Sequence, residues 1–325
     1  MNSKKINIAI LTGGYSKESE ISIKSSDNVY KNIDIVKYSP YIVLITKNKW
    51  SVIVENKQIK IDKNDFSFYV NNNKIKFDAV FFSIHGAPAE NGILQGYFDL
   101  IKIPYNCSNY FSSSITFDKY FCNNYLKNHN INCPDSLILN KSEKVSFSDI
   151  RKKVKFPSIV KPNNYGSSFG ISKINNEADF NKAINKAFNY DNKIIIEEFI
   201  DGKEITCGLV QRKKNLIKLP LTEIKTKRDF FDYDAKYNGK SKEITPAKLS
   251  KIQEIKIYTT SEFIFNLLNL KGIVRIDYIL TEKKLFFLEI NTIPGLSKES
   301  IIPNQIKKLN ISMKELISIS LANII

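Results

Sequence analysis

The sequence GIVRIDYILTEKKLFFLEINTIPG, residues 272–295, holds two apolar runs separated by the polar turn TEKK, a pattern that predicts a β-hairpin. If the turn is centred on its first lysine, cross-strand partners are the residues equidistant from that lysine. Asp277 then lies opposite Glu289, and Arg275 lies opposite Asn291. All four point to one face because strand side chains alternate with a period of two. The opposite face receives four apolar or aromatic side chains, those of Ile276, Tyr278, Leu288 and Ile290.

Two carboxylates and an amide on one polar face suit a hard cation, because Mg²⁺ takes oxygen ligands and bridges substrate phosphates. We therefore interpret Asp277, Glu289 and Asn291 as a candidate Mg²⁺ site. Arg275 beside them is a candidate for stabilising an anion that develops nearby. A surface ladder of ion pairs is the alternative interpretation of these residues.

The stretch KPNNYGSSFG, residues 161–170, lies between two apolar runs and predicts a flexible hairpin. Its glycines let backbone N–H groups approach an anion closely and its serine hydroxyls add donors, so the loop is a candidate cover for phosphates. It is not a Walker loop, because Lys161 precedes the glycines and FGISKI predicts a second strand instead of a helix. An ordinary polar hairpin turn is the alternative on this stretch alone.

Residues 6–107 alternate short apolar runs with helical stretches, which predicts a parallel sheet flanked by helices. Ligands of such sheets bind beyond the carboxyl ends of the strands. The loops TGGYSKESE and HGAPAENG each follow a predicted strand, so we expect Glu18, His85 and Glu90 to face one crevice. Capping of the following helix is the alternative role of Glu18, because a carboxylate in the first turn complements the helix dipole.

The formal net charge of +16 fits a nucleic-acid-binding protein, but the lysines are spread along the chain among abundant Asn, Ile, Phe and Tyr. We interpret the charge as compositional drift and expect no nucleic-acid partner. The four cysteines show no CxxC spacing and are expected to be reduced, mostly buried thiols of a cytoplasmic protein. No segment approaches the roughly 18 uninterrupted apolar residues of a membrane span, and the N-terminal run predicts a strand instead of a signal peptide.

Eight short motifs follow one another along nearly the whole chain: TGGYSKESEIS, HGAPAENG, FDK, VKPNNYGSSFG, IIEEFIDGKE, FFDYDAKY, VRIDYIL and LEINTIPGLS. Their order resembles that of the D-alanine–D-alanine ligase family of the ATP-grasp superfamily. The resemblance implies an α/β, three-domain ATP-grasp architecture with an N-terminal parallel-sheet domain. It divides the chain into a substrate domain over residues 1–107, a central ATP-grasp subdomain over 108–200, and a C-terminal ATP-grasp subdomain over 201–325 with the metal site and a lid loop.

The activity implied by the resemblance is the ATP-dependent joining of two D-alanine molecules through an acyl phosphate, for peptidoglycan precursor synthesis. ATP is then a co-substrate, and two Mg²⁺ ions, which Mn²⁺ can replace, are the implied cofactors. The implied partners are ATP and D-alanine, with no nucleic acid and no membrane. A cytoplasmic homodimer is the implied state of the protein.

Roles for individual residues also follow from the resemblance. The catalytic group comprises Glu18, Ser167, Tyr237, Arg275 and Gly295. The ATP contacts are Lys119, Lys161, Ser168, Glu197, Glu198, Ile200, Glu204 and Lys236. The substrate contacts are His85, Ser300 and Ile301, and the metal ligands are Asp277, Glu289 and Asn291. The long polar excursion at residues 225–246 predicts the lid loop, on which Tyr237 and Lys236 lie.

The loop HGAPAENG departs from the family pattern HGxxGEDG, with Ala89 for glycine and Asn91 for aspartate. Alanine adopts a positive φ less readily than glycine, so we expect this loop to be strained or reshaped. Another ATP-grasp amino-acid ligase, such as a D-alanine–D-lactate ligase, is one alternative function. A basic nucleic-acid-binding protein with a decayed ATP site is another. The presence together of Lys161, Asp277, Glu289 and Asn291 argues against it.

Overall fold

The computed structural model describes residues 5–143, 145–226 and 241–325 of the chain. Within these residues the strands form three larger sheets and one two-stranded ribbon. Each larger sheet is built from one of three successive parts of the chain, and the described residues contain both helices and strands in every part.

The first part contains β1 (Ile6–Gly13), α1 (Ser19–Asn32), β2 (Tyr38–Ile45), β3 (Trp50–Val54), β4 (Lys57–Lys60), β5 (Ser67–Val70), β6 (Asn73–Lys76), β7 (Ala79–Phe82) and α2 (Ile93–Leu100). Its sheet has the order β4-β3-β2-β1-β7, and β1 runs parallel to both β2 and β7. The strands β3 and β4 continue this sheet antiparallel. The sheet, predicted to be parallel, is therefore mixed. The two-residue turn Glu55–Asn56, with positive φ at both residues, joins β3 to β4, and a turn this short can only join antiparallel strands.

The central part contains α3 (Tyr110–Phe117), α4 (Lys119–Lys127), β8 (Ser136–Asn140), α5 (Phe147–Arg151), β9 (Ser158–Pro162), β10 (Ser172–Ile174), α6 (Glu177–Phe188) and β11 (Lys193–Glu198). Its sheet, β10-β9-β11-β8, is antiparallel throughout. The predicted hairpin around KPNNYGSSFG is confirmed as β9–β10. The helices α3 and α4 are separate, because Asp118 between them has extended backbone and its side chain accepts a hydrogen bond from Phe121 N.

The last part contains β12 (Lys203–Arg212), β13 (Asn215–Lys218), β14 (Thr222–Thr226), β15 (Ser241–Ile244), α7 (Lys251–Leu267), β16 (Ile273–Leu280), β17 (Leu285–Asn291), α8 (Ile301–Lys308) and α9 (Met313–Leu321). Its sheet has the order β15-β14-β12-β16-β17, with β13 also paired to β12. The predicted loop 225–246 begins and ends in strands, since Lys225 pairs with Lys242. Residues 227–240 lie outside the described part of the chain.

The predicted pairing of β16 with β17 is confirmed, with Asp277 opposite Glu289 and Arg275 opposite Asn291. A β-bulge interrupts the ladder beyond Asp277, so that Leu288 has no partner on β16. The prediction that Leu288 points to the apolar face is therefore wrong. Its side chain lines a cavity on the same side as Glu289, because a bulge re-aims the residues beside it.

The C-terminal helices pack between the first sheet and the last one. One buried cluster joins residues of both regions, including Ile8, Ile10, Phe81, Ile302, Ile306 and Ile317. Asn28 on α1 adds a hydrogen bond of 2.7 Å from its Nδ2 to the carbonyl oxygen of Leu296. This packing holds residues 292–300, the C-terminal loop, beside the loops that follow β1 and β7.

All four cysteines are buried free thiols, as expected from their spacing. Burial raises the pKa of Cys133 and of Cys207 to about 12.

Candidate active site

A cavity of about 730 Å³ lies between the central sheet and the last sheet. This volume is typical of ligand pockets, which span about 300–1,000 Å³. Eleven of the residues singled out from the sequence line it: Lys119, Lys161, Ser168, Glu197, Glu198, Ile200, Glu204, Arg275, Asp277, Glu289 and Ile301. Among these eleven residues, the two lysines come from the central part of the chain, and Arg275, Asp277 and Glu289 come from β16 and β17.

Asp277 is the centre of the wall formed by β16 and β17, and only 3% of it is exposed. Arg275 donates to it from Nε at 3.1 Å to both oxygens and from Nη2 at 2.8 Å to Oδ2. Thr206 Oγ1 on β12 donates to Oδ1 at 2.8 Å, and Asn291 Nδ2 donates to Oδ2 at 3.3 Å. Glu289 is more open, with its Oε1 3.9 Å from Arg275 Nη2 and 33% of its side chain exposed.

The lysine wall is formed by two residues in different settings. Lys161 on β9 makes an ion pair of 2.6 Å with Glu197 on β11, and both side chains are about 95% buried. Asn123 Nδ2 donates to the other oxygen of Glu197 at 2.9 Å. Lys119 at the start of α4 donates to the carbonyl oxygen of Tyr165 at 2.7 Å and lies 4.0 Å from Glu289 Oε2. Lys119 therefore connects the two walls of the cavity.

Residues 163–171, the glycine-rich loop, close against residues 14–18, the first loop. Ser167 Oγ donates a hydrogen bond to Oε1 of the buried Glu18. A Cβ at Gly166 would lie 2.7 Å from the same oxygen, so a larger residue there would require the Glu18 carboxylate to shift. Glu18 is the N-cap residue of α1, but its side chain makes no capping hydrogen bond and faces Ser16 and Ser167 instead.

Glu90 is buried in the same crevice, where its Oε2 accepts a hydrogen bond of 2.9 Å from the Gly86 N–H. Burial and, next, the charge of Glu18 raise the pKa of Glu90 to about 8. Ala89 beside it is buried but does not have a positive φ. The expected strain at Ala89 is thus wrong, because the left-handed positions of this loop are taken by Gly86 and Gly92.

His85 belongs to a buried network and does not line the cavity. Its backbone N–H donates to Ser22 Oγ at 3.0 Å. In the ring, Nδ1 lies 3.0 Å from the carbonyl oxygen of Ile293 and Nε2 lies 3.1 Å from Ser25 Oγ. A carbonyl oxygen only accepts, so Nδ1 carries the proton and Ser25 donates to Nε2. Ser25 Oγ also accepts from the Leu296 N–H. The histidine thereby joins α1, the loop after β7 and the C-terminal loop.

Ser300 and Gly295 meet at the N-terminus of α8. A Cβ at Gly295 would lie 2.7 Å from Ser300 Oγ, which itself lies 2.9 Å from Ser297 Oγ. Ile301, the first residue of the helix, reaches the cavity wall. Tyr237 and Lys236, the remaining residues singled out from the sequence, lie outside the described residues.

Two residues that hold site carboxylates were missed from the sequence, Thr206 and Asn123. Thr206 lies directly opposite Asp277 in the β12–β16 ladder. The alternation in KEITCGLV is compatible with a polar residue facing the site, but the pairing of β12 with β16 is needed to select this one.

Among residues 5–143, 145–226 and 241–325, no group of three His, Cys, Asp or Glu side chains is arranged to hold a metal ion. Asp277 and Glu289 form a pair of carboxylates beside the side chain of Asn291, whose carbonyl oxygen is the remaining oxygen ligand of the predicted set. Such a set offers only oxygen ligands, which fits Mg²⁺, an ion that keeps several waters and uses one or two carboxylates.

Comparison with solved structures identifies the class of protein that shares this fold. The chain superimposes on the VanG D-Ala:D-Ser ligase from Enterococcus faecalis with a TM-score of 0.88 and 29% identity, covering 98% of this chain and 99% of that one. It also matches a D-alanine–D-alanine ligase from Bacillus anthracis complexed with ATP, with a TM-score of 0.78 and 25% identity over 98% and 97% of the two chains. The predicted three-domain ATP-grasp fold is thus confirmed.

Sequence comparisons narrow the class. Residues 7–108 match the family model "D-ala D-ala ligase N-terminus" and residues 126–322 match "D-ala D-ala ligase C-terminus". A D-alanine–D-alanine ligase of Azobacteroides pseudotrichonymphae is 47% identical over 96% of this chain and 98% of its own length. Another, from Flavobacterium johnsoniae, is 45% identical over 95% of this chain and 96% of its own length. The chain belongs to the D-alanine–D-alanine ligase family.

None of the helices within the described residues is both long enough and apolar enough to span a membrane.

Proposed function

We propose that the protein joins two D-alanine molecules to D-alanyl-D-alanine at the expense of ATP, for peptidoglycan precursor synthesis. The observation that carries this proposal is the cavity with Lys119 and Lys161 on one wall and Arg275, Asp277 and Glu289 on the other. A cavity that contains both cationic side chains and carboxylate oxygens suits a nucleotide triphosphate with its metal. Among reactions that use ATP, membership of the ligase family supports the joining of two D-alanine molecules.

The reaction requires activation, because a carboxylate is a poor acyl donor. ATP transfers its γ-phosphoryl group to the carboxylate of the first D-alanine, which gives an acyl phosphate and ADP. The deprotonated amine of the second D-alanine attacks the carbonyl carbon and forms a tetrahedral intermediate. Expulsion of phosphate and loss of a proton from nitrogen then leave the amide.

Lys119 and Lys161 supply positive charge to the phosphates in this proposal. Their positions are preorganised, since Glu197 holds Lys161 and the Tyr165 carbonyl holds Lys119. Five further residues of the cavity contact the nucleotide in this proposal: Ser168, Glu197, Glu198, Ile200 and Glu204. Lys236, which lies outside the described residues, is a sixth contact by the resemblance alone.

Arg275 and the Gly295 N–H stabilise the oxyanion of the tetrahedral intermediate. Preorganised donors are effective for this purpose because they need no reorientation as the charge develops. Three hydrogen bonds to Asp277 fix the Arg275 guanidinium in one orientation, which supports this role.

The two D-alanine sites lie at the crevice between the first loop and the C-terminal loop. Glu18 binds the ammonium group of the first D-alanine and, with Ser167 and Tyr237, closes the site. Ser300 and Ile301 lie at the N-terminus of α8, where a helix dipole favours the carboxylate of the second D-alanine. His85 supports both loops through its buried network.

Asp277, Glu289 and Asn291 are the residues that would hold Mg²⁺, two ions by family pattern and replaceable by Mn²⁺. When bound, such an ion neutralises charge on the phosphates during transfer. The partly exposed side chain of Glu289, which lines the cavity, supports this assignment.

Phosphate release from ATP, measured with and without D-alanine, tests the proposal. We expect release that depends on D-alanine and one D-alanyl-D-alanine per phosphate by chromatography. Competition between equimolar D-alanine, D-lactate and D-serine decides the second substrate. Preferential use of D-lactate or D-serine would move the protein to another ligase of this class, and ATP hydrolysis with none of them would refute the proposal.

A homodimer, a cytoplasmic location and the domain boundaries at residues 107 and 200 are further parts of the proposal that rest on the resemblance. Light scattering of the purified protein tests the dimer, and limited proteolysis tests the boundaries.

A further inference from the structure

The first loop makes a second contact with the glycine-rich loop, separate from the bond between Glu18 and Ser167. Lys17 Nζ lies 5.9 Å from the ring centroid of Phe169 and 5.4 Å from that of Tyr190. These two rings are stacked with centroids 5.7 Å apart. Tyr165 packs edge-on against both rings, and its hydroxyl lies 3.5 Å from the Lys17 backbone N. We call Tyr165, Phe169 and Tyr190 the aromatic box.

The box connects the tip of the glycine-rich loop to a fixed part of the fold. Tyr190 lies in the turn between α6 and β11, and its ring covers Gly170 so closely that a Cβ there would lie 2.8 Å from Cδ2. From the same region, Lys186 Nζ donates to the Ile171 carbonyl at 2.9 Å. Asp191 accepts from the Asn164 N–H at 2.6 Å. Both ends of the loop are therefore anchored within the central part of the chain.

The tip of the loop is different, because its backbone conformation is unfavourable. Ser167 and Ser168 have φ values of +53° and +57°, a region that non-glycine residues occupy rarely. Such conformations persist when surrounding contacts hold them. Two neighbouring residues of the first loop contact the tip: Glu18 accepts a hydrogen bond from Ser167, and Lys17 lies over the ring of Phe169.

We propose that Lys17 and the aromatic box form a latch that holds the glycine-rich loop closed over the nucleotide. Lys17 is then a positioning residue for ATP, an inference that rests on the proposed function. Because Lys17 adjoins Glu18, the latch also couples closure over ATP to the site of the first D-alanine. An exposed cation–π contact changes an equilibrium by about two- to fivefold, which sets the size of the expected effect.

The experiment first compares three single variants of the full-length protein. Lys17→Met keeps most of the aliphatic stem and removes the charge, and Lys17→Arg keeps a cation over the rings. Lys24→Met removes the same charge from an exposed position on α1 and controls for net charge. The dissociation constant of a non-hydrolysable ATP analogue is measured by calorimetry, and the Michaelis constants for ATP and D-alanine are measured by phosphate release.

We expect Lys17→Met to weaken analogue binding and raise the Michaelis constant for ATP by about two- to fivefold, with a smaller effect on kcat. Lys17→Arg is expected to restore both values, and Lys24→Met to match the wild type. In a Tyr190→Leu background, Lys17→Met should have a reduced effect, because part of the box is already lost.

Equal effects of Lys17→Met and Lys24→Met would overturn the latch, as would a failure of Lys17→Arg to rescue or full additivity with Tyr190→Leu. Analogue binding needs no turnover, so this result is independent of which substrates are joined. A wild type that binds the analogue but forms no dipeptide refutes the proposed function while the latch is still decided by the variants.

Discussion

The hairpin β16–β17 and the glycine-rich loop face the same cavity, but different contacts hold them in place. In the hairpin, Asp277 and Glu289 are positioned by a backbone ladder that continues into β12. The loop has no such ladder between Asn163 and Ile171, and its tip is held by side chains from the distant first loop. A side-chain change in the hairpin should therefore alter chemistry without moving the backbone. A similar change in the loop should alter its position and thus nucleotide affinity.

The largest expected effect comes from Glu289→Gln in the hairpin. Loss of this charge is expected to lower ligase turnover about 100-fold or more, because a charged metal ligand at the phosphoryl group contributes several kcal/mol. The circular dichroism spectrum and the urea midpoint should stay those of the wild type. Glu282→Gln, which removes the same charge from the exposed turn of the same hairpin, should turn over normally. Near-normal turnover of Glu289→Gln at saturating Mg²⁺ would end the metal assignment.

Lys161→Met tests the point where strand and loop meet, because Lys161 is the strand residue at the base of the glycine-rich hairpin. Removing one member of its buried pair with Glu197 should cost about 3–5 kcal/mol of stability. Loss of the phosphate contact should also raise the Michaelis constant for ATP by about 10- to 100-fold, as a hydrogen bond to a charged group is worth roughly 1.5–3 kcal/mol.

The double variant Lys161→Met/Glu197→Gln separates these two consequences. Stability should recover in part, because no uncompensated charge is left buried, while ATP use should stay impaired. Recovery of ATP use together with stability would show that Lys161 acts only as a structural partner.

Glu90→Gln tests the crevice that both regions approach. The ordinary pKa of the carboxyl is 4.5 and the folded value is about 8, owing to burial and then to Glu18. Between these values the unfolded chain has released a proton that the folded chain retains, so stability falls as pH rises. The loss is absent below pH 4.5 and complete above pH 8. Glu289, Lys119 and Arg275 also act on this carboxyl, the first by raising its pKa and Lys119 by lowering it.

Urea midpoints of wild type and Glu90→Gln, measured from pH 5 to pH 8.5, check this expectation. The variant should match the wild type near pH 5 and exceed it increasingly toward pH 8. Parallel curves over the whole range would contradict the raised pKa.

A smaller effect than those of Glu289→Gln and Lys161→Met is expected from Ser167→Ala at the tip of the loop. Removing one hydrogen bond to Glu18 should raise the Michaelis constant for ATP by about fivefold, equivalent to roughly 1 kcal/mol. Ser16→Ala removes a longer bond of 3.3 Å to the same carboxylate from within the first loop, so it should have less effect. An equal or larger effect of Ser16→Ala in steady-state kinetics would show that the Glu18 carboxylate, and not loop closure, is what matters.

Local pattern predicted much of the site wherever one strand or one hairpin decides the outcome. The alternation in VRIDYIL and LFFLEIN put Arg275, Asp277 and Glu289 on one face, and the glycines of KPNNYGSSFG indicated a hairpin between two strands. The sequence pattern did not predict contacts that depend on two segments distant in sequence. Thr206 and Asn123 hold site carboxylates from other elements, and His85 is taken up by a network that spans three segments.

The hairpin β16–β17 shows what the local sequence pattern determines and what the tertiary structure decides. The sequence by itself determined that β16 and β17 form a hairpin with a polar face, because side-chain alternation is a local property of a strand. The tertiary structure decided the bulge. Thr281 bonds Lys284 across a turn centred half a residue before Lys283, and the unpaired Leu288 restores Glu289 to its place opposite Asp277.

A regular ladder from this turn would pair Asp277 with Leu288 and turn Glu289 toward the core. At the bulge, the Phe287 N–H donates to the Asn132 carbonyl at 2.8 Å, a contact from the central part of the chain. The first loop and the glycine-rich loop meet for the same kind of reason, since residues 149 positions apart in sequence are joined only when separate sheets pack together. The sequence therefore determined which chemical groups the site contains, and the packing of distant segments decided how they meet.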